Sequence, residues 1–156
     1  MQNRESEKEV RVEREFYPDF RVKTERTWIN GRVCGPFRRF FNDGTWYEVN
    51  LIDGLEAGTK IYHSSDGKIY WEIWYHQGIK NGMERRYYED GNIENETTWE
   101  NGVKSGKQKF YDKDGKLIQE NLWSNGELSE MIVHRDDFNA KLTFSLNSEL
   151  SEVMYI

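Results

Sequence analysis

Cysteine is almost absent: Cys34 stands alone in 156 residues. A single cysteine excludes an intrachain disulfide framework and a cysteine-based metal motif, and it fits a reducing, cytoplasmic setting. Histidine is nearly as scarce. His63, His76 and His134 show no HxH or HxxxH spacing, so neither a metal nor a cofactor is expected. Long apolar runs are missing as well. No stretch approaches the ~18 apolar residues of a membrane-spanning helix. The start, MQNRESEKEVRVERE, lacks the apolar segment of a secretory leader. Catalytic signatures are absent too. There is no phosphate-binding GxxxxGKS or GxxxxGKT order and no GxGxxG ahead of a helix, and no Ser, Thr or Cys sits in a nucleophile elbow. Glutamates recur, but in like surroundings, whereas a glycosidase needs two carboxyls in unlike ones. The expectation is a protein that is not an enzyme. The net charge of −6 argues against a general nucleic-acid binder.

What the chain does have is aromatic rings, glycine and a period. Aromatics make up 15%, with six Trp, nine Tyr and eight Phe. A thin structure can bury the faces of such rings where it has no room for a compact aliphatic core. One glycine series runs Gly31, Gly54, Gly78, Gly102 and Gly126, spaced 23, 24, 24 and 24. A second runs Gly35, Gly58, Gly82 and Gly106, with Glu130 in its place at the end. Asp-Gly pairs end on Gly44, Gly67, Gly91 and Gly115, and Glu48, Glu72, Glu96 and Glu120 follow in phase. Three residues beyond each glutamate come Leu51, Tyr75, Trp99 and Trp123, with Trp28 placed likewise after Glu25. A period near 24 means a repeat architecture.

Each unit reads as a β-hairpin, so the fold class is all-β. Asp-Gly between aromatic-rich runs signals a type I′ turn, whose two central residues both need φ > 0. The NGxxxG stretch reads as a longer link. With Asp-Gly at the turn centre, Arg39 lies opposite Glu48, Arg85 opposite Glu96 and Lys109 opposite Glu120, while Ile61 faces Glu72. Opposite charges so placed contribute roughly 0.2–1 kcal/mol per pair. The repeated glutamates and turn glycines therefore read as structural.

Three regions follow. Residues 1–15 form a charged N-terminal arm, solvated or at most an edge strand. Residues 16–126 form the repeat sheet. Its first half-repeat, 16–28, is degenerate, because Pro18 and Phe20 replace the Glu89 and Gly91 of a full unit, and its turn is expected to differ. Residues 127–156 form a non-repeat β cap with strands at 131–134, 141–146 and 153–156, pairing with the last hairpin and covering its edge. A short helix near 147–153 is the alternative.

Aromatic residues are the candidate partner surface, since Trp and Tyr dominate binding hot spots. The ladder Trp28, Leu51, Tyr75, Trp99, Trp123 reads as a stripe on one face, either packed or presented. The other face is assigned Trp46, Trp71 and Trp74 with Tyr88. The candidate partner-binding residues are Tyr75, Trp99, Trp123, Trp74 and Tyr88. Bases recur in phase at Arg38-Arg39, Arg85-Arg86, Lys107 and Lys109, next to a glutamate series that neutralises much of their charge.

The units YYEDGNIENETTWENGVKSG (87–106) and FYDKDGKLIQENLWSNG (110–126) resemble the MORN repeat family in its bacterial variant form. The aromatic pair, the Asp-Gly, the glutamate, the aromatic, the Asn-Gly and the spaced glycine all match, over about two-thirds of the chain. The first unit, Pro36 after Gly35 and the C-terminal segment depart from it. The resemblance implies an elongated single-layer antiparallel meander of hairpins. At about 4.8 Å between strands, four to five units would span roughly 40–50 Å. It also implies a protein-binding role, most concretely an antitoxin or immunity-type inhibitor of a toxin, effector or defence protein. The alternatives are a scaffold or membrane-associated protein that binds anionic lipid, and a phage-encoded inhibitor of a host defence protein. A homodimer through a sheet face is a further expectation.

Overall fold

The computed structural model describes residues 8–144 and 149–156. Thirteen strands form one open antiparallel sheet, in which each strand lies beside its neighbours in sequence. They are β1 (Val10–Phe16), β2 (Val22–Ile29), β3 (Arg32–Phe40), β4 (Trp46–Ile52), β5 (Leu55–His63), β6 (Ile69–His76), β7 (Ile79–Tyr87), β8 (Ile93–Glu100), β9 (Val103–Tyr111), β10 (Leu117–Ser124), β11 (Glu127–His134), β12 (Asn139–Phe144) and β13 (Leu150–Tyr155). The single-layer all-β meander is the architecture found. At about 4.8 Å per step it runs roughly 60 Å across its strands, longer than the repeats alone imply, because strands at both ends join the sheet.

The two turn types exchange the roles expected of them. The tight turns are at the first glycine series. Asn30-Gly31, Asp53-Gly54, Gln77-Gly78, Asn101-Gly102 and Asn125-Gly126 all have φ > 0 at both residues, such as 49° and 85° at Asn101-Gly102. The flanking residues pair directly, as Glu100 does with Val103. This is the type I′ two-residue hairpin. The second glycine marks a bulge. Ser105, Gly106 and Lys107 together lie opposite Thr98 alone, between the pairs Thr97–Gln108 and Trp99–Lys104. At the Asp-Gly turns only the glycine has positive φ. Gly91 N–H donates to the Tyr88 carbonyl (3.0 Å) and Tyr88 N–H to the Asn92 carbonyl (2.9 Å), the three-residue loop of a type I turn closed by a left-handed glycine. The aspartate stays at negative φ, and at Asp43, Asp66 and Asp90 its carboxylate accepts from the N–H two residues on, as Asp90 does from Asn92 (2.9 Å); in the fourth turn Asp112 accepts instead, from Asp114 and Lys116. That local bond is the usual reason aspartate sits in such turns.

The degenerate first unit keeps this turn. Phe20 N–H donates to the Tyr17 carbonyl (3.0 Å) and Tyr17 N–H to the Arg21 carbonyl (2.8 Å). Phe20 takes the glycine's place at φ 64°, and Pro18 supplies the fixed φ favoured at the first central position. The expectation of a different turn is thus corrected. The 23-residue spacing also has a cause. Beside the other Asp-Gly turns the register slips by one residue, as between Arg86 and Tyr87. The β3–β4 hairpin has no slip and is one residue shorter. It therefore pairs Arg38, not the expected Arg39, with Glu48, and sets Arg39 against Tyr47. The other three expected pairs hold.

Both chain ends join the sheet. Of the two forms expected of the N-terminal arm, residues 10–15 take the edge strand, β1 pairing with β2 along its length. The C-terminal segment pairs with the last hairpin as expected, β11 lying along β10 and covering its edge. It extends the sheet by β12 and β13, and residues 150–153 are strand rather than helix. Residues 145–148, which include parts of the expected strand and helix, lie outside the described residues.

Alternation gives the sheet two unlike faces. On the first, one residue from every strand falls on a single line: Arg14, Glu25, Arg38, Glu48, Ile61 and Glu72, then Arg85, Glu96, Lys109 and Glu120, then Ile132, Lys141 and Met154. On the second, a buried centre line carries Val49, Ile73, Thr97 and Asn121, with Lys60, Glu84 and Gln108 beside them. Among the described residues the only buried hydrophobics are Val49, Ile73 and Ala140. With no second layer, side chains lying over one another supply what burial there is.

Candidate interaction face

Every strand contributes to both faces, so the parity of its bulges decides which aromatic faces where. The ladder Trp28, Leu51, Tyr75, Trp99, Trp123 lies on the second face, half-buried throughout. Its members are engaged within the chain. Trp28 Nε1 donates to Glu13 (3.0 Å) and Trp123 Nε1 to Gln108 (2.9 Å). Lys80 Nζ lies 4.3 Å from the Trp99 ring centre, and Lys104 Nζ 4.2 Å from that of Trp123. Lys60, only 8% exposed, sits 4.0 Å from the Tyr47 ring, with Tyr62 and Tyr75 beside it and Glu56 at 2.7 Å. In the next unit the ion pair is inverted, Lys80 to Glu84 at 2.8 Å. Glu84 also accepts from Trp71 Nε1 (2.8 Å). Trp99 Nε1 is buried without a hydrogen-bond partner, at a cost of about 1–3 kcal/mol for a lost bond of this kind. Tyr75, Trp99 and Trp123 are thus packing residues covered by the chain's own lysines.

The first face is different. Its glutamates face groups from the next hairpin. Tyr87 Oη donates to Glu72 (2.6 Å) and Tyr111 Oη to Glu96 (3.1 Å). His63 Nε2 stands 3.7 Å from Glu48, and His134 Nε2 3.6 Å from Glu120. Arginines add to this: Arg38 reaches Glu48 (3.2 Å) and Glu25 (3.5 Å), and Arg85 reaches Glu96 (2.9 Å). Glu72 and Glu96 are therefore hydrogen-bonded to the next hairpin, whereas the histidines beside Glu48 and Glu120 stand close without a hydrogen bond to them. Glu72 is the exception in charge. Ile61 occupies the neighbouring place on one side, and Arg85 on the other turns to Glu96. No ion pair joins Glu72 to another described residue. Burial first, and then the bond to Glu72, push the Tyr87 hydroxyl up to about 12.

Next to Glu72 stands Trp74, 48% exposed and on the face opposite the ladder. Its indole lies across Gly82, where a Cβ would come within 2.9 Å of Cδ1. The bulge glycine thus leaves room for the ring. Thr59, Glu72, Trp74, Asn81, Gly82, Met83 and Arg85 line a shallow groove of about 240 Å³ there. Exposed apolar residues stand nearby along the tight-turn edge: Ile52, Leu55 and Ile79. Leu55 packs within contact distance of the Gly78 position, and Ile79 within that of Gly102. Sequence reasoning missed this edge. Its signal was available, since Leu55, Ile79 and Val103 each directly follow the first turn glycine.

The candidates are therefore not one surface. Tyr75, Trp99 and Trp123 share the second face, and Trp74 lies on the first. Tyr88 sits at an Asp-Gly turn, its hydroxyl donating to the Tyr111 carbonyl (2.7 Å), as Tyr17 donates to that of Phe40 (2.9 Å). Trp46 joins Trp74 on the first face, stacked on His63 at 3.8 Å. Trp71, assigned with them, lies instead on the ladder face, stacked on Tyr62 at 4.6 Å. In the basic series, Arg38, Arg85 and Lys107 each pair with a glutamate, and Arg86 lies 4.7 Å from the Trp71 ring centre. Among the described residues no group of three or more His, Cys, Asp or Glu is placed to hold a metal ion. Among the described residues no helix is long and apolar enough to cross a membrane. Comparison with known proteins leaves the family open: no family model and no curated protein matches the chain.

Proposed function

We propose that this protein is a non-enzymatic, cytoplasmic protein-binding module of the inhibitor type, in line with its resemblance to antitoxin and immunity-like MORN-variant proteins. The observation that carries this reading is the Trp74 groove. An exposed tryptophan beside Met83, next to a carboxylate without an ion pair, has the make-up of a binding hot spot. Glu72 and the overall negative charge favour a partner with a basic docking surface, because charge complementarity steers encounter and rejects wrong partners. The lipid reading has less support, since the phased bases Arg38, Arg85 and Lys107 are held by neighbouring glutamates.

The test is affinity capture from the native host with wild type, Trp74→Ala and Met83→Ala, with circular dichroism as a check on folding. One stoichiometric partner is expected with wild type, lost or much reduced with either folded variant. A stoichiometric partner kept at full strength by both variants would sink the proposed site. No partner at all, together with a measurable turnover, would sink the module reading itself.

A further inference from the structure

Each glutamate of the repeat series faces two positions on the strand before it, one directly opposite and one diagonal. For Glu48 these hold Arg38 and Pro36, for Glu96 Arg85 and Met83, and for Glu120 Lys109 and Lys107. Each of these sets supplies a base that reaches its glutamate: Arg38 at 3.2 Å, Arg85 at 2.9 Å and Lys107 at 3.7 Å. The Glu72 set is Ile61 and Thr59, and supplies none. Tyr87 Oη donates to Glu72 Oε2, and Oε1 takes no hydrogen bond from a described residue. The chain itself shows what belongs there. Two repeats on, the matching groove is lined by Lys107, Glu120, Leu122 and Ile132 and measures about 140 Å³. In it Lys107 stands opposite Leu122 and extends its ammonium to Glu120. At Glu72 the groove is larger, about 240 Å³. Thr59 stands where the lysine is, opposite Trp74, and the exposed tryptophan holds the leucine's place.

We infer that the Trp74 groove takes an arginine side chain of the partner protein, in the place that the chain's own Lys107 fills two repeats on. This rests on the binding-module reading and names the chemistry of its partner. The guanidinium lies on the Trp74 ring, as that of Arg86 lies 4.7 Å from the Trp71 ring centre, and donates to Glu72 Oε1. Exposed Met83 gives its aliphatic stem an apolar wall, since such stems lie along apolar surface while the charged head stays polar. Arginine suits the site better than lysine, because its planar group stacks on a ring while its N–H fork bonds a carboxylate, and tryptophan is the ring that attracts cations best. Arg85 at the rim is turned to Glu96 and leaves the charge of Glu72 for the incoming cation.

The probe is N-acetyl-arginine amide, titrated to millimolar concentrations into the isotope-labelled full chain and followed by NMR, with N-acetyl-citrulline amide as its uncharged counterpart. The indole N–H signal of Trp74, assigned by its loss in Trp74→Phe, is expected to shift with the arginine amide and to stay with citrulline. Those of Trp99 and Trp123, on the other face, are expected to stay with both. Glu72→Gln keeps an oxygen for the Tyr87 hydroxyl and so the fold, and is expected to weaken binding about tenfold. Thr59→Lys supplies the missing base within the chain, at an exposed position, and is expected to abolish the shift. In affinity capture Glu72→Gln is expected to lose the partner as Trp74→Ala does. An arginine amide that leaves Trp74 unmoved, a shift matched by the citrulline amide, or a folded Glu72→Gln that binds as well as wild type overturns the inference. A partner lost with Trp74→Ala and kept with Glu72→Gln overturns it while leaving the module reading in place. A partner kept by Trp74→Ala and Met83→Ala alike removes the site from both.

Discussion

Ile73 and Trp74 are neighbours in sequence and opposites in environment. Ile73 is fully buried on the second face, and Trp74 is half-exposed on the first. The same strand thus meets two solutions to one problem, how a sheet with a single layer protects its side chains. The second face overlays rings with its own lysines and fills the centre line with Ile73, Val49 and hydrogen-bonded polar groups. The first face spends its centre on a line of alternating charge. That line leaves apolar residues standing on the tight-turn side, and Trp74 among them. Most of the buried residues lie on the second face, while on the first His63 is buried under Trp46 and Trp74 stands half-exposed.

The contrast is sharpest in stability. Ile73→Ala is expected to destabilise the fold by about 2–5 kcal/mol, the range for truncating a buried aliphatic, read by urea unfolding. Equal tolerance of Ile73→Ala and Trp74→Ala would break the comparison. A smaller effect should come from alkali. The Tyr87 hydroxyl ionises at about 12 in the fold, against about 10 for an unfolded tyrosine. The folded state therefore holds this proton more tightly, and the stability it adds is present below pH 10 and lost as pH rises toward 12. At Lys60 burial pulls the ammonium's pKa down, but the bond to Glu56 and the nearby tyrosines together outweigh it and leave it raised, so its contribution to stability is lost with the same sign as pH rises above its ordinary range. Tyr87→Phe should flatten the pH dependence between about 10 and 12, and an unchanged slope would remove the Tyr87–Glu72 bond from the account. The smallest effect is expected of Trp74→Ala, under about 1 kcal/mol, in keeping with surface positions whose contacts are few. A larger loss would make Trp74 a packing residue and weaken its candidacy as a partner site.

Much of this was legible beforehand. The period of 24, the hairpins, the glutamate partners Arg85 and Lys109, and the ladder as one stripe all follow from phased residue types. The turn roles did not. Asp-Gly and Asn-Gly are both tight-turn signals, and an aspartate that accepts its own downstream N–H leaves the type I′ geometry to the other pair. Phe20 was unreadable because a bulky residue at φ 64° is a rare state, held here by the Pro18 turn and the pairing of β1 with β2. Trp71 was misplaced although alternation alone sets it opposite Trp74, since the register runs unbroken between them.

By itself the sequence determined that the chain repeats, that each repeat is a hairpin, and that glutamate and aromatic lines run across the units. The tertiary structure alone decided which tryptophan is covered and which is offered. Face assignment depends on counting residues through every bulge, and a slip of one residue sends each following side chain to the other side. That count is settled only when neighbouring strands pair.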